Sequence, residues 1–234
     1  MLKAFSISIA LLMLGACTVY QSPIQTIEAK NDLAQRAIEQ KWQAHKARLH
    51  GLDAWKIKGK IAVKAGKKGG HATLRWDKRG VVQAIEIFGP LGGGRVEISA
   101  DETGARLKDT KGGELQGQSI AALIEQRLGW PLPFDQLPYW LRGLPAEQGD
   151  LTSALSQANI SWNEFGHITA MNDAGWQVTY PKYQAITDAQ GHVLQVPKQI
   201  ELNALPGTLK VFDNKGEFIG EDFFIRLIIK SWLP

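Results

Sequence analysis

Trp55-Lys56-Ile57-Lys58-Gly59-Lys60-Ile61-Ala62-Val63-Lys64 is the stretch that decides the fold. Trp55, Ile57, Gly59, Ile61 and Val63 alternate with Lys56, Lys58, Lys60, Ala62 and Lys64. A strand turns successive side chains to opposite faces. One face here is apolar and the other almost all lysine, the pattern of a half-buried antiparallel strand. The period of two returns downstream. After a turn at Gly66–Gly70, Ala72, Leu74 and Trp76 alternate with Thr73 and Arg75. Lys78-Arg79-Gly80 turns again, and Ile85 and Ile87 alternate with Ala84 and Glu86. Beyond Gly89–Gly94, Val96 and Ile98 alternate with Arg95 and Glu97, and Ala105 with Leu107 marks another short strand. Strands at roughly ten-residue spacing form a meander, as in a sandwich or barrel.

On the N-terminal side the period changes. Ala34, Ile38, Trp42 and Leu49 recur at spacings of four and seven, which predicts an amphipathic helix over Glu28–Leu49 with Gly51 as its stop. On the C-terminal side, Ile120, Leu123, Ile124 and Leu128 have helical spacing, ended by Gly129-Trp130-Pro131. Phe134–Leu141 reads as a second, short helix disturbed by Pro138. Strands resume at Ile168–Met171, Trp176–Tyr180, Gln199–Asn203 and Asp222–Lys230. The chain is mainly β, and no repeat or composition break divides it into two folded domains. Apolar strand faces must be covered, and Ile120–Leu141 is the helical segment available to cover them.

The chain has 234 residues with a formal charge of +4, 44% hydrophobic and 21% charged residues, so it is neither a disordered tail nor a polytopic membrane protein. The cationic excess is mild and scattered, without the basic face that nucleic acid requires. Eight tryptophans need a packed core or an apolar cavity. Met1–Ala16 carries Lys3, a short apolar run over Ala4–Leu14 and small residues, which is the make-up of a signal peptide. Leu14-Gly15-Ala16-Cys17 resembles the bacterial lipobox, and Cys17 is the only cysteine. Acylation there would tether the protein to a membrane: each buried CH2 contributes about 0.8 kcal/mol, one chain is marginal and two hold firmly. Thr18, where Asp would favour inner-membrane retention, implies the outer membrane with the body facing the periplasm.

The chemistry of catalysis is missing. His45, His50, His71, His167 and His192 stand beside no Cys, Asp or Glu at ligand spacing. There is no Gly-x-Ser-x-Gly elbow, His-Glu-x-x-His, phosphate loop or dinucleotide fingerprint. No enzyme activity, metal or cofactor is expected. Phe88-Gly89-Pro90-Leu91-Gly92-Gly93-Gly94 breaks the strand pattern instead. Leu91 stands at the tip of a glycine-rich turn. It either folds back onto the body or serves as a membrane or partner probe. Immersing one leucine is worth about 1.5–3 kcal/mol, enough for a touch and too little for an anchor.

The lipobox, Trp55 with Gly59, the Gly89-Pro90-Leu91-Gly92 loop, Leu137-Pro138-Tyr139-Trp140-Leu141-Arg142-Gly143-Leu144-Pro145 and Trp176-Gln177-Val178-Thr179-Tyr180 occur in this order. Together they resemble the LolB family of outer-membrane lipoprotein receptors, from Cys17 to about Leu202 and again over Asp222–Trp232. Asn203–Glu221 departs from the pattern. The resemblance implies an incomplete antiparallel β-barrel with a helical lid over an apolar cavity. Residues 1–16 would be signal peptide, 17–27 a lipidated tether and 28–234 one domain. It also implies a role: accepting acylated lipoproteins from a periplasmic carrier, LolA, and leaving them in outer-membrane lipid without ATP, as a monomer.

In the family, a leucine protruding from this loop is important for releasing cargo, which assigns Leu91 that part, with Gly89, Pro90 and Gly92 shaping its turn. The candidates for the acyl-chain cavity are Trp55, Ile57, Ile61, Leu74, Trp76, Ile85, Ile87, Val96 and Ile98, with Leu123, Trp140 and Leu141 from the lid. An envelope hydrolase or a structural lipoprotein on the same tether are the competing readings. The lysines Lys56, Lys58, Lys60 and Lys64 read as a solvated strand face or as a dock for an acidic partner.

Overall fold

The lysine-alternating stretch forms a strand, β1 (Ala54–Ala65), and every second residue from Trp55 to Ala65 is buried, with the residues between exposed but for half-buried Ala62. The computed structural model describes residues 23–89, 94–110, 112–129, 131–146, 160–212 and 217–234. A helix, α1 (Pro23–His50), precedes β1. The meander continues through β2 (Lys68–Arg79), β3 (Val82–Gly89), β4 (Gly94–Asp101), β5 (Gly104–Asp109) and β6 (Glu114–Gly117). Two helices follow, α2 (Ile120–Leu128) and α3 (Leu137–Arg142). The chain then forms β7 (Ser161–Trp162), β8 (Ile168–Asp173), β9 (Trp176–Thr187), β10 (Val193–Ala204), β11 (Val211–Phe212), β12 (Phe218–Gly220) and β13 (Phe223–Leu233).

Eleven strands make one antiparallel sheet in the order β6-β5-β4-β3-β2-β1-β13-β10-β9-β8-β7. The last strand lies beside the first, with Ile61 opposite Leu227 and Ala65 opposite Phe223. Its two edges, β6 and β7, are not paired with each other, so this is an open sheet rather than a closed barrel. The hairpin β11–β12 stands apart as a second, two-stranded sheet.

The chain divides into two compact units between Ala37 and Ile38. Of the first, the structure describes the N-terminal part of α1, where residues 32–37 are all exposed. The second holds the rest of α1 and every strand. Ala34, expected on the buried helical face, is exposed; the buried stripe is Trp42, His45 and Leu49.

Gly59 explains why β1 carries a glycine at its centre. The β1–β13 register shifts between Lys58 and Gly59, and a Cβ on Gly59 would stand 2.6 Å from the Ile228 carbonyl oxygen. The neighbouring backbone fills the space a side chain needs. Gly59→Ala therefore costs about 1–3 kcal/mol, seen in a thermal melt as a fall of about 2–4 °C for each kcal/mol. An unchanged Tm would show that the central strands yield at no cost.

Candidate functional site

The inner face of the sheet is apolar from edge to edge, because each strand contributes its alternate residues to it. Trp55, Ile57, Ile61, Leu74, Trp76, Ile85, Ile87, Val96 and Ile98 are all at most 8% exposed and belong to one hydrophobic cluster. Leu123, Trp140 and Leu141 join the same cluster from the helices. The structure thus brings all twelve proposed lining residues together. Their side chains occupy the interior themselves. Trp76 sets its ring 5.5 Å from those of Trp55 and Phe134, and Trp55 sits 5.3 Å from Trp232. A polar trough of about 850 Å³ opens elsewhere, lined by outward residues including Glu86, Arg95, Glu97, Arg106 and Lys108. That wall suits water and ions rather than alkyl chains.

Two helices cover the inner face. Helix α2 starts at Ser119, whose hydroxyl accepts from the Ala122 N–H at 3.2 Å, and ends at Gly129 in the left-handed region. It packs on β5 and β6, and Arg127 Nε donates to Asp109 Oδ2 at 2.5 Å. Helix α3 packs on β10. Pro138 lies in its first turn, where its missing N–H removes no bond. The sequence predicts a helix over Phe134–Leu141 that Pro138 disturbs; instead the proline helps to start one at Leu137, and Phe134 precedes the helix. Gly143 ends α3 with φ +81°, and its N–H returns to the Trp140 carbonyl.

Among the described residues, Asp173 and Arg142 tie α3 down. Asp173, at the end of β8, accepts from Trp140 Nε1 at 2.7 Å and from the Ala146 N–H at 2.6 Å. Arg142 is 7% exposed. Its Nε donates to the Pro138 carbonyl, and Nη1 reaches the Leu49 and Leu52 carbonyls at 3.4 and 3.5 Å. The helix is therefore fastened to the β8–β9 turn at one point and to the end of α1 at another.

His45 is the buried residue that sequence reading missed. The helical charge pattern around it signals solvent, yet it is 7% exposed. Its ring lies 4.8 Å from that of His167, which stacks on Tyr183 at 5.0 Å. The β7–β8 turn presses on α1 here: a Cβ on Gly166 would stand 2.6 Å from the Trp42 nitrogen. Burial, then His167, then Arg48 push the His45 pKa down from 6.5 to about 4, against a hydrogen bond to the Gln195 backbone. Burial lowers His167 as well.

The folded chain therefore refuses a proton that the unfolded chain accepts below pH 6.5. Stability is full above that pH and declines as pH falls toward about 4. The whole shift corresponds to about 3 kcal/mol, and Tm falls by about 4–8 °C between pH 7.5 and pH 5. His45→Phe removes most of that slope in the same melts; a variant retaining all of it would place the acid sensitivity elsewhere.

The remaining candidates are dispersed. Cys17 and the loop residues Pro90, Leu91 and Gly92 lie outside the described residues. Gly89, at the root of the loop, has φ +111°, a conformation that side chains disfavour, and pairs with Gly94. Lys56 bridges to Asp77 at 2.8 Å, while Lys58, Lys60 and Lys64 are exposed on the outer face. His71, His167 and His192 stand on separate elements, and His192 pairs with Asp188 in an exposed turn. Among the described residues no three His, Cys, Asp or Glu converge as metal ligands. No helix among them is long and apolar enough to cross a membrane.

Comparison with known proteins agrees with this architecture in sequence. Residues 53–232 match the family model described as "Outer membrane lipoprotein LolB". An outer-membrane lipoprotein LolB of Pseudomonas paraeruginosa is 30% identical over 233 residues, spanning 100% of this chain and 97% of that one. Its counterpart in Pseudomonas putida is 32% identical over 195 residues, 83% of this chain and 82% of that one. Among solved structures, a DUF1329 family protein from Desulfovibrio piger overlaps 88% of this chain and 92% of its own, with 10% identity and a TM-score of 0.44.

Proposed function

The chain belongs to the LolB family of outer-membrane lipoproteins, and from that premise we propose that it receives acylated lipoproteins from a LolA-like periplasmic carrier and inserts them into the outer membrane. It does so as a monomer, anchored through acylated Cys17, with no nucleotide and no catalytic turnover. The observation that carries this reading is the continuous apolar inner face, covered by helices of which α3 is tied down through Asp173 and Arg142. The cluster's side chains lie against one another, so an incoming alkyl chain takes the place of those that α3 and its preceding loop set against Trp76 and its neighbours. Exchange needs no fuel, because cargo moves to whichever site binds more tightly, and about 1.4 kcal/mol gives a tenfold bias. Asp173 and Arg142 make the lid's return specific, since their ties re-form in one geometry only.

The test is transfer. Tagged lipoprotein held by the carrier is mixed with this chain lacking Met1–Cys17, without nucleotide. Cargo should pass to the chain intact. Transfer that requires ATP, or cargo recovered with its acyl groups cleaved, would defeat the proposal; the second outcome would favour the hydrolase.

A further inference from the structure

The β11–β12 hairpin presents two phenylalanines to solvent. Phe212 is 46% and Phe218 56% exposed, and the two face each other across the hairpin with ring centroids 5.8 Å apart. Scattered exposed apolar residues need no explanation; a touching aromatic pair on a projecting hairpin does. The hairpin is firmly rooted. Val211 is buried in the main cluster, Leu209 packs against it, and Thr208 Oγ1 donates to the Gly175 carbonyl at 3.1 Å. Among the described residues of the hairpin, Val211 faces the cluster while Phe212 and Phe218 are exposed.

Its place in the fold gives it a meaning. The hairpin joins the end of β10 to the start of β13, and Gly66, in the β1–β2 turn, donates its N–H to the Asp222 carbonyl at 3.1 Å. Strands β1 and β3 end on this same side of the sheet, and β3 ends at Gly89, where the loop bearing Leu91 begins. In the sheet order, β13 and β3 are three spacings apart, about 14 Å. Among the described residues, exposed Lys64, Lys67, Lys68 and Lys210 stand there with exposed Glu217, Glu221 and Asp222, four cations against three anions. An aromatic pair among mixed charges matches a zwitterionic lipid surface better than an acidic protein, which would select a basic rim.

We propose that Phe212 and Phe218 form a second membrane contact, which enters the lipid headgroup region beside the Leu91 loop and fixes the receptor's end against the bilayer. This deepens the proposed insertion into the outer membrane and rests on the reading of Leu91 as a lipid probe. One leucine gives a touch; two half-exposed rings add about tenfold or more in partitioning. Two contacts at strand ends three spacings apart also set an orientation, which one cannot.

Environment-sensitive probes test this in the full acylated chain, reconstituted in phosphatidylethanolamine vesicles with a minority of phosphatidylglycerol. Phe212→Cys, Phe218→Cys, Leu91→Cys and Phe165→Cys are labelled singly, and the unsubstituted chain gives the background. Phe165 is 62% exposed in the β7–β8 turn, at the opposite end of the sheet. Probes at 212 and 218 should be quenched by bilayer-embedded doxyl lipids at least threefold more than the probe at 165. Quenching no greater than at 165 overturns the inference. Quenching at 91 alone would leave the loop's role standing and remove the hairpin's; quenching at 212 and 218 without 91 would do the reverse. Probes at 212 and 218 that respond to carrier protein but not to lipid would make the pair a protein contact and also overturn it.

Discussion

Leu91→Asp should accept acylated cargo as well as the unaltered chain does, but deliver it to membranes at least tenfold more slowly. Uptake is unchanged because the residues proposed to hold alkyl chains lie on the strands and the covering helices, and none is in this loop. Delivery suffers because the chain loses about 1.5–3 kcal/mol of apolar contact with lipid, or about tenfold to a hundredfold in partitioning. The carboxylate adds a charge that must keep its water. The substitution leaves Gly89, with its positive φ, and its pairing with Gly94 unaltered. Leu91→Ile, equally apolar, should deliver normally. The assay follows tagged lipoprotein from carrier to receptor and from receptor to vesicles as separate steps. Normal delivery by Leu91→Asp would remove the loop from the mechanism; failed uptake would place Leu91 at the cargo site instead.

Much of this was legible in the sequence for a simple reason. A sheet with one face buried writes its orientation into the chain every second residue, so β1 to β5 could be read from Trp55 to Leu107, and every lining candidate is in fact buried. The signal fades where both faces have work to do. Strands β9 and β10 run to Thr187 and from Val193, well beyond Trp176–Tyr180 and Gln199–Asn203, because Pro181 and Pro197 and two register shifts interrupt the alternation. The short strands β6, β7, β11 and β12 have no room for a period to show. His45 was hidden for a different reason: its burial depends on the β7–β8 turn, more than a hundred residues away, closing over α1 through Gly166. Local pattern cannot announce a distant partner. The same holds for Asp173, whose bonds to Trp140 in α3 and to Ala146 beyond it join segments that the sequence leaves far apart.

That lid leads to the second large effect. Phe134→Ala should melt at a lower temperature yet hold acyl cargo at least tenfold more tightly. Phe134 is 1% exposed and rests against Trp76, within the face proposed to receive alkyl chains. Truncating it costs the folded chain about 3–5 kcal/mol, or roughly 6–20 °C in Tm. The same truncation removes a competitor. A sixteen-carbon acyl chain gains about 12 kcal/mol on leaving water, at about 0.8 kcal/mol for each CH2. Displacing Phe134, Leu137, Trp140 and Leu141 gives back about 6–12 kcal/mol, at about 1.5–3 each. The two quantities are of one size, which is what reversible exchange requires. Any reduction in what must be displaced passes directly into retention, and a gain of about 1.4 kcal/mol is already tenfold. Displacement of a fluorescent fatty acid measures the affinity, and a melt of the same sample measures the stability. A purely structural core predicts that the melt moves alone. Opposite movement of the two readings requires that cargo and lid contend for the same surface.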